Sequence, residues 1–240
     1  MFLRIACAQE IAAAPASLQS VRDLLARPEG VRWLFYGDSI TMGSAYTEGC
    51  RDYTQLFAER VRFELRRKKD VVLNTAVSGD NTARLLDGFD ARVRPFQPHV
   101  VFLMAGMNDC VVGDAKRSVP PEAFRANLKA LARRVREIPG CLLVFQTTCP
   151  ILPGTAPERE AQFGAYMDLI RAAAAEEKAP LIDHTRHWLD TLRRDPPAHA
   201  RWMGHAFHPN QFGHRAFARL IFHEMGMEDP QSATCRLPIP

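Results

Sequence analysis

Four short blocks of this chain carry side chains or amides that could perform acyl transfer if the fold brought them together. Leu34-Phe-Tyr-Gly-Asp-Ser-Ile-Thr-Met-Gly43 runs an apolar strand into a turn presenting Ser39. That serine is either a nucleophile or, as Gly-Asp-Ser turns commonly are, a helix cap. Asn74-Thr-Ala-Val-Ser-Gly79-Asp offers a glycine whose backbone N–H can approach a ligand without an intervening side chain. Gly106-Met-Asn108-Asp109 offers a neutral amide, a good donor to a developing oxyanion and equally a good loop cap. His205-Ala-Phe-His208-Pro209-Asn210 offers a base, and proline after His208 forces that residue out of the α region. His208 should therefore ride an extended segment, with Asn210 capping the helix that follows.

The elements that must position these blocks are readable from apolar runs. Val31 to Tyr36, Val71 to Thr75, Val100 to Met104, Leu142 to Thr147 and Pro180 to Asp183 lack alternation and read as strands buried on both faces. Helical stripes lie between and after them: Tyr53 to Leu65, Phe124 to Ile138, Phe163 to Ala174 and Ala216 to Met225, with a weaker candidate from Asp80 to Arg94. Strands alternating with helices imply right-handed crossovers and a five-stranded, mostly parallel sheet in a three-layer α/β/α sandwich. All strand C-termini then share one edge, and the ligand crevice lies outside it at the switch point in strand order. Ser39, Gly79 and Asn108 each follow a strand on that edge. Residues 1–30 read as an N-terminal extension or arm, 31–228 as the domain and 229–240 as a C-terminal tail.

Composition excludes several function classes. The 240 residues carry a formal charge of +4, and the one block of like charge, Arg66-Arg67-Lys68-Lys69, falls at a helix end, where cations complement the helix dipole; no nucleic-acid partner is expected. No apolar run approaches the roughly 18 residues of a membrane span. Gln9 and Glu10 interrupt the N-terminal apolar stretch before it could form a signal-peptide core. The six cysteines show no C-x-x-C pair and no zinc spacing, so reduced packing thiols and a cytoplasmic location fit best. A disulfide among Cys50, Cys110 and Cys149 stays open, since all three follow the same sheet edge.

Gly37-Asp38-Ser39, Gly79, Gly106-x-Asn108-Asp109 and His208-Pro209-Asn210 resemble, in order and position, the four signature blocks of the SGNH (GDSL-type) hydrolase family. The resemblance spans residues 31 to 225. It implies a flavodoxin-like sandwich that hydrolyses esters with no cofactor and no metal. Ser39 would be the nucleophile and His208 its base. The Ser39 and Gly79 backbone amides and the Asn108 side chain would form the oxyanion hole.

The chain departs from that family's pattern at one position. The family usually places an aspartate three residues before the catalytic histidine, and His205 stands there. Neutralising the acid of a serine-protease triad costs about 10⁴ in kcat. Either a main-chain carbonyl orients His208 in a Ser-His dyad, or another acid does so; Asp183, at the end of the fifth strand, is the candidate, with a helix cap or an arginine partner as its alternative role. His184-x-x-His187 and His205-x-x-His208 suggest metal ligands only on a helix face with a third ligand nearby. The expected substrate is a small-molecule or glycan ester with a short acyl group, such as a carbohydrate O-acetyl group. Longer-chain lysophospholipase or thioesterase activity, and a silent binding module, are the alternatives. Tyr46, Trp188 and Trp202 could stack on a sugar or plug the core, and the segments Cys149 to Pro157 and Asp195 to Met203 should frame the pocket. An unperturbed His208 would switch activity off near pH 6.5.

Overall fold

A computed structural model of the chain describes residues 16–43 and 45–240. The expected strands form: β1 (Arg32–Tyr36), β2 (Val71–Asn74), β3 (Val100–Met104), β4 (Leu142–Gln146) and β5 (Leu181–Ile182). They pair in parallel in the order β2-β1-β3-β4-β5. This is the flavodoxin-like doubly wound order, so the switch point lies between β1 and β3, where the turn after β1 carries Ser39. Burial on both faces holds for β3 but not for β2, whose edge position leaves Val71 exposed.

Alternate side chains of each strand feed two cores. Trp33, Phe35, Phe102, Met104, Val144 and Ile182 pack with α3 (Tyr53–Glu59) and the last helix, while Leu34, Tyr36, Leu103 and Phe145 pack with the helices on the opposite face. Phe35 stacks on Phe102 at 4.7 Å between centroids, fixing β1 against β3 beneath the switch point. Asp52 caps α3 with a reciprocal capping box through Gln55, and α3 runs on into a π-helical turn over Arg60–Glu64. The weaker helix candidate forms as α4 (Thr82–Arg92), and the two long stripes form as α5 (Pro121–Arg136) and α6 (Pro157–Glu176).

Four features go beyond the sequence reading. His184–Arg194 and Ala198–Trp202 are helices, α7 and α8, separated by Pro196 and Pro197, although arginines interrupt their apolar stripes. A small antiparallel hairpin, β6 (Met203–His205) and β7 (His208–Pro209), then leads into α9 (Gln211–Glu224). The segment expected as a tail is instead fastened to the domain. The Ser232 and Thr234 hydroxyls donate to the Glu64 carboxylate, and Cys235 is buried in the core. Likewise Val21 and Leu24, placed in the expected N-terminal arm, join the core of the domain. Arg67 of the basic block donates to Asp70 and to the carbonyls of Leu25 and Arg27, which ties it to the structure.

Candidate active site

Ser39 opens the one-turn helix α2 (Ser39–Met42), whose N-cap is Asp38. The Asp38 carboxylate accepts from the Ile40 amide at 2.9 Å. It is buried, and that burial pushes its pKa up to about 7. Asp38 thus serves as the cap that an Asx residue in this turn predicts, and the hydroxyl of the next residue is left to project from the sheet edge.

His208 arrives from the far end of the chain on β7. Pro209 and the antiparallel pairing with β6 hold it extended, as the His-Pro step requires. Asn210 caps α9 by accepting from the Phe212 and Gly213 amides, while its own amide donates to the Arg201 and Met203 carbonyls, clamping the hairpin to the helix. The Ser39 hydroxyl and His208 Nε2 lie 2.8 Å apart across 169 residues of sequence. For Nε2 to accept the serine proton, Nδ1 must carry the ring hydrogen.

Gly79 takes a left-handed φ of 82°, the region glycine enters without strain. Asn108 is buried, and its side-chain amide donates to the Asp80 carbonyl at 2.8 Å, linking the loops after β2 and β3 and leaving its second N–H for another acceptor. Asp109 is structural: its carboxylate accepts from the amide and hydroxyl of Thr82 at the start of α4, and from the Gly106 amide. Burial raises its pKa to about 6 despite those bonds.

The expectation that His208 is supported by Asp183 or by a main-chain carbonyl is corrected here. Nδ1 of His208 is buried and has no hydrogen-bond partner among the described residues. Asp183 is occupied elsewhere: it accepts from Arg171 Nε at 2.8 Å and Nη2 at 2.9 Å, from the Thr147 hydroxyl, and from the Arg186 amide as the cap of α7. Burial acts to raise its pKa, but the Arg171 guanidinium and these donors hold it below the usual carboxylate range. Asp183→Asn should therefore leave kcat unchanged and lower stability by about 2 kcal/mol, read by denaturant unfolding beside steady-state kinetics. A tenfold fall in kcat with an unchanged unfolding curve would return Asp183 to the site.

Aromatic rings surround the imidazole. Tyr46 stacks on it at 4.5 Å and 19°, Phe207 lies at 4.7 Å, and exposed His205 at 5.5 Å. The guanidinium of Arg159, at the start of α6 and only 5% exposed, sits 4.2 Å from the Phe207 ring centre. Burial, reinforced by His205 and Arg159, lowers the His208 pKa to about 4, replacing the unperturbed value expected from sequence. Trp188 and Trp202 are core plugs at 1% and 6% exposure, so of the three aromatic residues considered for sugar stacking Tyr46 alone faces the crevice. A cleft of about 100 Å³ opens beside Ser39 and His208, lined also by Ile40, Met42, Ala45, Tyr46, Ser78 and Pro209.

Neither Tyr46 as a partner of the base nor Arg159 near it carries a sequence signal; both depend on loop geometry. Cys50, Cys110, Cys141, Cys149 and Cys235 are free, which resolves the open disulfide among the first, second and fourth, while Cys7 lies outside the described residues. Among the described residues no group of three His, Cys, Asp or Glu side chains is arranged to hold a metal ion.

The fold has known counterparts. The uncharacterised lipoprotein YqeF of Bacillus subtilis is 26% identical over 176 residues, 65% of this chain and 71% of that one. The α/β hydrolase LAE5, from the metagenome of Lake Arreo in Spain, superposes with a TM-score of 0.72 at 23% identity, covering 85% of this chain and 99% of that one. Axe2, an acetylxylan esterase from Geobacillus stearothermophilus, superposes with a TM-score of 0.70 at 19% identity over 83% and 96% of the two chains. Catalytic mutants of Axe2 replace a serine, an aspartate and a histidine, the last two three positions apart. The family model matches residues 35–216, a span that encloses Ser39, Gly79, Asn108 and His208, and the chain belongs to the GDSL-like lipase/acylhydrolase family of ester-hydrolysing enzymes.

Proposed function

We propose that this enzyme hydrolyses short acyl esters, carbohydrate O-acetyl groups foremost, through an acyl-enzyme on Ser39. The observation that carries the reading is the 2.8 Å contact of Ser39 Oγ with His208 Nε2 at the switch point of the sheet. His208 Nε2 takes the hydroxyl proton as Oγ attacks the ester carbonyl carbon. The carbonyl oxygen becomes an oxyanion that accepts from the Ser39 and Gly79 amides and from the free N–H of Asn108, all neutral donors needing no counter-charge. Collapse expels the alcohol, which receives the proton from His208. A water, deprotonated by the same ring, then repeats the attack and releases the acid.

The small cleft beside the pair supports a short acyl group: its volume of about 100 Å³ and its lining by Ile40, Met42 and Ala45 suit an acetyl methyl. The acetylxylan esterase activity named for Axe2 supports a carbohydrate alcohol in the same way. A separate cavity of about 300 Å³, lined by Ile151, Phe163, Met167 and Leu189 together with Glu160, Asp168 and Arg171, shares no residue with that cleft, and the longer-chain reading requires an acyl chain to reach it. Graded p-nitrophenyl esters beside acetylated xylo-oligosaccharides decide between them. The expected result is kcat/KM highest at acetate and falling beyond butyrate, with acetate released from the sugar. A maximum at octanoate or longer would overturn the short-acyl reading.

Free, mostly buried thiols suit a reducing compartment such as the cytoplasm. The Bacillus subtilis relative is named a lipoprotein, which makes cell fractionation the direct test. Among the described residues no helix is long and apolar enough to cross a membrane.

A further inference from the structure

Among the described residues the base of the proposed dyad has no acid behind it, yet its ring meets Ser39 at hydrogen-bond distance. Something other than a hydrogen bond at Nδ1 must hold it there. Tyr46 lies nearly parallel to the His208 ring, at 4.5 Å and 19°, and its ring also lies at 5.4 Å and 27° from His205. The hairpin closes on this stack because position 204 is glycine. A Cβ there would stand 2.9 Å from Tyr46 Cβ and 3.2 Å from the Tyr46 carbonyl oxygen. Phe207 approaches the imidazole at 4.7 Å and a tilt of 42°, so the ring is confined by aromatic surface from two residues.

We propose that Tyr46 is the positioning residue for His208, its ring face holding the imidazole in register with Ser39 in the role an acid fills in a triad. The inference rests on the Ser39–His208 reading above and deepens it. A stacked face restricts rotation of the imidazole about its Cβ–Cγ bond, which would swing Nε2 away from the serine. It also presents π density to the imidazolium that forms during attack, an effect on basicity smaller than the opposing one of the burial that the same ring imposes. His205 lies beside His208 against the same tyrosine, the three ring centres 4.5 to 5.5 Å apart, and supplies no negative charge. The groups nearest the ring are Ser39 from α2, Tyr46, and His205 and Phe207 of the hairpin, while Arg159 from α6 packs on Phe207 and His214 from α9 lines the same cleft. None of them is a carboxylate.

The test compares Tyr46→Phe, Tyr46→Leu and Tyr46→Ala in the full chain. Tyr46→Phe keeps the face and should keep wild-type kcat and pH profile. Tyr46→Leu fills the space without a π face and should lower kcat about tenfold with KM unchanged, the size expected of one aromatic pair. Tyr46→Ala should lower kcat at least as much and, by admitting water to the ring, move the acid limb of kcat/KM from about pH 4 toward 6.5. Phosphonate labelling of Ser39 and an NMR titration of the His208 ring in Ser39→Ala, with and without Tyr46→Ala, separate the clamp from the activity. Wild-type kcat and limb in Tyr46→Leu and Tyr46→Ala overturn the proposal. So does a loss in Tyr46→Phe equal to that in Tyr46→Ala, which would assign the effect to the hydroxyl. Unlabelled Ser39 in the wild type would defeat the esterase reading instead, while an upward shift of the His208 titration on removing Tyr46 would still support the clamp.

Discussion

His208→Gln is expected to fold and to lose kcat by about 10⁴- to 10⁶-fold with little change in KM, the range found when the base of a serine hydrolase is removed. The geometry explains the size of the effect. The Ser39 hydroxyl has Nε2 of His208 as its partner, so removing the imidazole leaves an alcohol attacking with its proton in place. The wild-type pH profile follows from the same ring. Its pKa is lowered by burial and by the nearby His205 and Arg159 to about 4, and the neutral form is the active one. Activity should hold as pH falls from 7 to about 5 and decline through pH 4. A flat profile down to pH 5 is thus the signature of this buried base, whereas the unperturbed value would have made it evidence against His208. The sign for stability is the same. The unfolded chain takes up this proton near pH 6.5 and the folded one only near 4, so stability is full above 6.5 and falls as pH drops between the two. His208→Gln removes that contribution and should unfold less steeply across the window. A decline in activity centred near 6.5 would show a ring more exposed to water than the structure places it.

Asn108→Ala is expected to lower kcat about 10²- to 10³-fold, the loss typical of one oxyanion-hole donor. KM should change little, because the oxyanion charge that Asn108 is proposed to meet exists only in the transition state. The same substitution removes the 2.8 Å bond to the Asp80 carbonyl and so loosens the loops after β2 and β3, a stability cost of about 1 kcal/mol. Asn108→Asp also loses that bond, since a carboxylate cannot donate to the Asp80 carbonyl. It keeps the size of the side chain but replaces the donor by negative charge facing the oxyanion, and should be slower still than Asn108→Ala. Steady-state kinetics on a p-nitrophenyl acetate series check both. Equal kcat in Asn108→Ala and wild type would restrict Asn108 to its structural bond.

Much of this was legible in the sequence because a parallel sheet writes itself plainly. Strands buried on both faces appear as unbroken apolar runs, and β1, β3 and β4 lie within a residue of where those runs predict. Once the strands alternate with helices, their C-termini share one edge, and the loops that carry Ser39, Gly79 and Asn108 start from it. His208 joins them because Pro209 and the Asn210 cap fix how the chain enters α9. The support of the base was not legible. Asp183 lies on the correct sheet edge, but Arg171 of α6 claims its carboxylate, and an ion pair between a helix and a strand end leaves no periodic signature. Tyr46 and Arg159 reach His208 from loop and helix ends whose paths no local pattern encodes. The depressed basicity of His208 is likewise a property of its aromatic surroundings and not of the His-Pro-Asn motif.

The central claim is that Ser39 is a nucleophile activated by His208, and covalent labelling tests it most directly. Incubation with a fluorophosphonate followed by peptide mass spectrometry should place a single adduct on Ser39 in the wild type. Ser39→Ala should carry no adduct, and His208→Gln should react far more slowly at the same serine. A wild-type protein that hydrolyses esters while Ser39 remains unmodified, or an adduct on another residue that persists in Ser39→Ala, would contradict the account.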